Sequence, residues 1–174
     1  MRIISGKYKG RKIYPPKNLP TRPTTDRLKE GLFSILQNRL EFRNIKVLDL
    51  YSGTGNISYE FASRGSLNIT SVDQNRLCTV FIKKTSLLLN TEINVVQSDS
   101  INFLRKNNSQ FHLIFADPPY EIQHNIYKII IDLSVEKLLT NGILVIEHNK
   151  KIDFSKEPSY YMNRKYGDSV ISFF

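Results

Sequence analysis

At 174 residues and 40% hydrophobic side chains the chain has the size of one domain and can bury a proper core, since domains commonly run to ~100–200 residues. Its single cysteine, Cys78, excludes an intramolecular disulfide framework, no apolar stretch reaches the ~18–20 residues of a membrane span, and no apolar leader follows the basic start, so a cytoplasmic protein is expected. The net charge of +9 is unevenly placed: residues 1–31 carry +7 (nine Lys or Arg against Asp26 and Glu30) and the rest +2, an asymmetry that suits an arm for nucleic acid or a membrane surface.

In chain order, "RIISGKYKGRKIYPP" reads as two short strands around Gly6 and Gly10, closed by Pro15 and Pro16. Lys7, Lys9, Arg11 and Lys12 gather around its turn. Interleaved with them are Ile3, Ile4, Tyr8, Ile13 and Tyr14, which a merely solvated tail rarely carries. "NLPTRPTTDRLKEGLFSILQNRL" is a loop and then a helix, capped by Thr25 or Asp26 and striped with Leu28, Leu32, Ile35 and Leu36. From Ile45 a strand–turn–helix pattern repeats, with strands expected at 45–50, 68–72, 93–97, 111–116 and 143–148 and helices near 56–64, 75–89, 100–106 and 124–139. Short apolar runs alternating with amphipathic segments predict a parallel sheet covered on both faces. The closing "YYMNRKYGDSVISFF" holds two β-rich runs around Gly167-Asp168, a hairpin signal. Two units follow: a basic hairpin and helix over 1–44, and an α/β core over 45–174.

"KVLDLYSGTGNIS" joins the first strand to the first core helix. Gly53 and Gly55 let the backbone turn tightly and approach a ligand, and the helix start beyond them presents unpaired N–H groups. Ser58 stands in the place of the third glycine of a dinucleotide fingerprint. Asp49, ahead of the glycines, would repel a pyrophosphate and favours a ligand bearing an ammonium or sulfonium group. Asp73 follows the loop by about 20 residues, the spacing of a carboxylate that accepts ribose hydroxyls. Asp99, ending the third strand, is placed to accept a hydrogen bond from an adenine amine. Either acid could instead cap a helix, Asp99 from Ser100 and Asp73 from Asn75. At the fourth strand "LIFADPPYEI" stiffens the chain beside Asp117, because Pro118 and Pro119 fix φ, remove two donors and hold the preceding residues extended. Acids at three strand ends and "DPPY" at a fourth converge where open α/β sheets bind ligands.

"LDLYSGTG", "VD", "SDS" and "DPPY", in this order and spacing, resemble the class I S-adenosylmethionine-dependent methyltransferases, and the last motif their amino-methylating group. "RIISGKYKGRKI" and "RPTTDRLKEGLFSIL" narrow the resemblance to the RsmD family, bacterial enzymes of small-subunit (16S) ribosomal RNA, over essentially the whole chain. The resemblance implies a Rossmann-like fold with a mostly parallel seven-stranded sheet ending in an antiparallel hairpin. It also implies S-adenosyl-L-methionine as cofactor, no metal, no membrane, and a guanine exocyclic amine as methyl acceptor. On it, Asp117, Pro118 and Tyr120 are the catalytic residues. Arg22, Thr24, Asp49, Tyr51, Ser52, Gly53, Gly55, Asp73, Asp99 and Ser100 hold the cofactor, and Lys7, Lys9, Arg11 and Lys12 meet the RNA. "GNIS" and the short C-terminus match least well.

His112, His124 and His148 lack metal-ligand spacing and are expected to be structural, Cys78 to pack beside Leu77, Val80 and Phe81, and Lys83-Lys84 to be a solvated helix face. "DPPY" also suits amine methylation of DNA adenine, and a silent fold serving as an RNA-binding assembly module is a further reading. Methylation of release-factor glutamine fits less well, since that chemistry goes with Asn where this chain has Asp117.

Overall fold

The computed structural model describes residues 1–16, 19 and 24–174. Helix α1 (Asp26–Leu36) is capped by Thr25, whose hydroxyl accepts from Leu28 N, and buries Leu28, Leu32, Phe33 and Leu36 on one face. Then come β1 (Lys46–Leu50), α2 (Asn56–Ser63), β2 (Asn68–Asp73), α3 (Arg76–Leu89), β3 (Ile93–Gln97), α4 (Ser100–Lys106), β4 (Phe111–Ala116), α5 (His124–Glu136), β5 (Leu138–Asn149), β6 (Met162–Tyr166) and β7 (Ser169–Phe173).

The seven strands form one sheet in the order β3-β2-β1-β4-β5-β7-β6. Strands β1 to β5 run parallel, and β7 is antiparallel to both β5 and β6. The order reverses direction at β1, so a crevice opens between the carboxyl ends of β1 and β4. α1 and α2 cover one face through Leu32, Phe33, Ile57 and Phe61 against Val47, Leu113 and Val145. On the other face Leu104, Tyr127, Ile130 and Ile131 of α4 and α5 pack on Leu48, Ile114 and Leu144.

Three expectations are adjusted. The N-terminal hairpin holds a single antiparallel bridge, Arg2 with Lys12, rather than two strands. Its shape comes from three backbone bonds, Ile3 N to Arg11 O (3.0 Å), Gly10 N to Ile3 O (2.8 Å) and Ile13 N to Met1 O (3.0 Å), with Gly6 and Gly10 at positive φ. The helix expected to reach residue 139 stops at Glu136, and β5 begins at Leu138. Phe111 pairs with Leu138, then the register jumps so that Leu113 pairs with Ile143; Asn141, at φ +62°, lies in the bulge. Finally, Leu77 and Val80, expected beside a buried Cys78, are 52% and 40% exposed, so Cys78 is buried without them.

The hairpin is not a loose arm. Ile3 and Ile13 are buried against Tyr59, Ile82 and Leu89, each burial worth about 1.5–3 kcal/mol. Lys7 N and Tyr8 N donate to Ser63 of α2, and Ile4 N donates to Glu60. Beneath it Lys29, fully buried, gives its ammonium to Glu60 Oε1 (3.0 Å), Asn56 Oδ1 (3.0 Å) and the Arg2 carbonyl. Glu60 is also fully buried and pairs with Arg64. No helix among the described residues is long and apolar enough to cross a membrane.

Candidate active site

A cavity of about 590 Å³ opens at the carboxyl ends of β1, β2, β3 and β4, within the ~300–1,000 Å³ range of small-molecule sites. Thr24, Asp49, Tyr51, Ser52, Gly53, Asp73, Asp99, Ser100, Asp117, Pro118 and Tyr120 all line it. Gly55 is not on its wall but sets the turn: its φ is +78°, and a side chain there would press on Tyr59 and Ile82. Arg22 lies outside the described residues.

On one side the glycine loop is held by acids. Asp73, 9% exposed, accepts from Gly53 N (2.8 Å) through one oxygen and from Asn75 N (2.7 Å) through the other. Asn75, not Asp73, caps α3. Asp73 is therefore fixed in place with lone pairs left for a ligand's hydroxyls. Asp99 does cap α4, accepting from Asn102 N (2.9 Å), and still borders the cavity. Tyr51 adopts φ +54° and its N–H donates to Ser100 Oγ (3.3 Å), tying the loop after β1 to the start of α4.

Asp49 lies deeper, 1% exposed. It accepts from Ser58 N (3.1 Å) and Ser58 Oγ (2.6 Å), and Ser58 Oγ is 2.5 Å from Ser71 Oγ. The residue that departs from the glycine fingerprint is thus the partner of the unusual acid. Burial outweighs these bonds and pushes the Asp49 carboxyl up to about 7. Cys78 also reaches the cavity wall, a position its helix spacing did not reveal. Burial and the nearby Asp73 raise its thiol to about 11, so it stays protonated and is no nucleophile.

On the other side the Asp117 N–H reaches back to Leu50 O (3.5 Å), linking the ends of β4 and β1. Pro118 is buried and Asp117 half-buried at the mouth. Tyr120 OH lies 2.8 Å from Ser169 Oγ at the start of β7, so its hydroxyl anchors the ring to the C-terminal hairpin. Asn56, which sequence reasoning missed, lines the cavity and donates to Thr24 O (3.1 Å) while accepting from Lys29.

Elsewhere Lys7, Lys9, Arg11 and Lys12 lie on the hairpin with exposed side chains or partly exposed ones, at a distance along the chain from these walls. Arg11 Nη2 donates to Leu88 O (3.3 Å) and Lys7 lies over the Tyr8 ring. The histidines have local partners: His112 Nδ1 accepts from Lys46 N (3.0 Å), His148 bonds Ser172 and Asn149, and His124 meets Phe154 edge-on. Among the described residues no three His, Cys, Asp or Glu side chains group as a metal site.

Over residues 1–174 the chain matches the family described as Conserved hypothetical protein 95. It is 30% identical to the ribosomal RNA small subunit methyltransferase D of Buchnera aphidicola subsp. Baizongia pistaciae, across 88% of this chain and 78% of that one. Among solved structures it is similar to a hypothetical protein of Thermus thermophilus, with TM-score 0.86 and 24% identity over 99% of this chain and 98% of the other. A T. thermophilus 16S rRNA N2 methyltransferase, solved with AdoMet and guanosine, is similar with TM-score 0.72 and 18% identity, covering 89% of this chain and 44% of that one. At these identities the structural likeness is one of fold.

Proposed function

This chain belongs to the RsmD family, described as Conserved hypothetical protein 95, and on that footing we propose that it methylates the exocyclic amine of a guanine in small-subunit (16S) ribosomal RNA, using S-adenosylmethionine, in the cytoplasm. The observation that carries this reading is one cavity with buried acids beside a glycine loop on one wall and "DPPY" on the other. The residues suit the cofactor: Asp73 would accept from its ribose hydroxyls, Asp99 from its adenine amine, and Asp49 would offer negative charge to its sulfonium. When bound, the cofactor supplies an electrophilic methyl group whose C–S bond breaks as the N–C bond forms, the electron pair passing to sulfur.

An exocyclic amine is a poor nucleophile because its lone pair is delocalised into the ring. The Asp117 carboxylate and the Pro118 carbonyl would accept its two hydrogens, favour pyramidalisation and stabilise the positive charge that develops on nitrogen, which then loses one proton to solvent to leave the neutral N-methyl amine. Tyr120 stacks on the base, a contact worth ~1–3 kcal/mol in single-stranded recognition. A base in structured RNA must be looped out to enter.

Incubation with labelled S-adenosylmethionine and, separately, 16S RNA, small subunits or duplex DNA, followed by nucleoside analysis, tests the reading. N2-methylguanosine is the expected product. Methyladenine in DNA would transfer the assignment to the DNA enzyme, and RNA binding without transfer to a silent assembly module.

Two further results are expected. Asp49, with its carboxyl at about 7, should make cofactor binding pH-dependent. A sulfonium favours the carboxylate, so below pH 7 binding must displace a proton, and affinity should fall by up to about tenfold per pH unit. Calorimetry from pH 5.5 to 8.5 reads this slope, which should flatten for the demethylated product, a neutral thioether, and for Asp49→Asn. A slope shared equally by both ligands would remove Asp49 from the sulfonium. In the unliganded protein the same raised value lowers stability as pH rises from 3.8 to about 7, because the folded state holds the proton more tightly.

Reversing the charges of Lys7, Lys9, Arg11 and Lys12 together should weaken RNA binding and leave cofactor binding intact. Every phosphate interaction removed should lower the slope of log affinity against log salt by about 0.7–0.9. Unchanged binding at every salt concentration would make these residues solubilising only.

A further inference from the structure

Helix α1 carries a glycine, Gly31, in its middle, where glycine is a poorer helix former than alanine. A Cβ at this position would overlap the Tyr166 hydroxyl, so the glycine lets the ring of β6 lie directly on the helix. Arg27 stands one turn before Gly31 on the same helix face. Arg164 stands two residues before Tyr166 on the same strand face. Burial raises the Tyr166 phenol above its ordinary value, and the Arg164 and Arg27 guanidiniums oppose that rise.

Both arginines are exposed, and among the described residues neither has an ion-pair partner. Asp26, next to Arg27, is taken by Arg2 (3.0 Å) and Lys29 (3.4 Å). Among the described residues Arg164 donates to the carbonyl of its neighbour Asn163 (2.8 Å). Two like charges on neighbouring elements repel each other, and an anion between them relieves that repulsion. Their location supplies the anion. Tyr166 is the cross-strand partner of Ser169, and Ser169 Oγ is 2.8 Å from the Tyr120 hydroxyl on the rim of the cavity.

We propose that Arg27, one helical turn from the Gly31 on which Tyr166 lies, and Arg164, two residues before Tyr166, form a phosphate clamp for the RNA strand that carries the target base. The proposal rests on the RNA substrate inferred above and adds a second grip to it. A guanidinium presents paired N–H donors that match phosphate oxygens, and such contacts set register without reading sequence. Arg164 carries the clamp to the β6 edge of the sheet, while Arg27 follows the Asp26 that Arg2 of the basic hairpin grips (3.0 Å), so the clamp and the hairpin adjoin at the start of α1.

The test is RNA binding by the full chain as a function of salt, with 16S RNA as the probe. The Arg27→Ala/Arg164→Ala double variant should bind about tenfold or more weakly, with its log–log salt slope reduced by about 1.4–1.8 for two contacts. S-adenosylmethionine affinity and the denaturation midpoint should match those of the parent. The Arg27→Lys/Arg164→Lys variant should restore the slope, since charge is retained, and only part of the affinity, since the planar fork is gone. An alanine variant with parental affinity and slope overturns the clamp. A parent that binds RNA with the full slope but transfers no methyl group overturns the reaction while the clamp stands on its slope change. A parent that binds no RNA overturns both.

Discussion

Asp117→Ala is expected to lower methyl transfer by about 10²–10³-fold, the range for removal of one preorganised group that meets charge developing in a transition state. The carboxylate stands at the cavity mouth, on a backbone held extended by two prolines and tied by its N–H to the end of β1. Its interaction with the amine strengthens as nitrogen becomes positive, so the loss should fall on kcat and kcat/KM together. Cofactor affinity should persist, because Asp73, Asp99 and the glycine loop form a different wall. Asp117→Asn keeps the shape and one acceptor but discards the charge, and should retain intermediate activity. Single-turnover transfer at saturating cofactor and RNA separates chemistry from release. A near-parental rate in the alanine variant would mean that "DPPY" does not act by accepting the amine hydrogens. Tyr120→Phe is a milder case: the ring can still stack, but it loses the Ser169 hydrogen bond, worth about 0.5–1.5 kcal/mol.

Lys29→Met should cost about 3–5 kcal/mol of stability, the usual effect of removing one partner from a buried ion pair. The side chains of Lys29 and Glu60 are both fully buried, and the loss strands the Glu60 carboxylate with Arg64 and the Ile4 N–H as remaining partners. At roughly 2–4 °C per kcal/mol for a chain of this size, Tm should fall by about 6–20 °C. The additional change Glu60→Gln should recover part of the loss, because the stranded charge is then gone. If Lys29→Met alone leaves Tm within a degree or two, the pair contributes nothing and the hairpin is held by Ile3, Ile13 and its hydrogen bonds to Ser63 and Glu60. Lys29 also holds Asn56, which holds Thr24 at the cavity wall, so a modest loss of cofactor affinity should accompany the drop in stability.

How much of this was legible beforehand follows from the kind of signal each feature leaves. Strands β1 to β4 announce themselves as short apolar runs because both sheet faces are covered, and their observed bounds differ from the expected ones by a residue at most. The first half of β5 was hidden: Leu138 and Leu139 continue the apolar pattern of α5, and only the bulge at Asn141 turns them into strand. Acids at successive strand ends were readable because topology gathers strand ends. Their hydrogen bonds were not, since Asp73 finds Gly53 and Asp99 finds Asn102 only once the loops have folded. Ser58 looked like a defect in a glycine motif and is instead the donor that Asp49 needs. Lys29 and Glu60 left no signal of burial in the sequence, because their ion pair and their contacts to Arg2, Ile4 and Asn56 form only when the two helices and the hairpin come together. Arg27 and Arg164 gave no signal at all, being 137 residues apart and joined only through Tyr166.

The place of β7 also dictates when the site can be finished. In the sheet β7 lies between β5 and β6, although β6 precedes it in the chain. Chains are made from the N-terminus at about 5–20 residues per second, so β6 emerges with no neighbour to pair with and must wait, unzipped, for the strand that follows. Until then β5 is the raw margin of the sheet, and Tyr120 has no Ser169 to hold its ring. The wall of the cavity made of residues 24–100, where we propose the cofactor sits, can form earlier in synthesis. A nascent chain therefore builds that wall first, and the Tyr120 side of the cavity closes with the last strand.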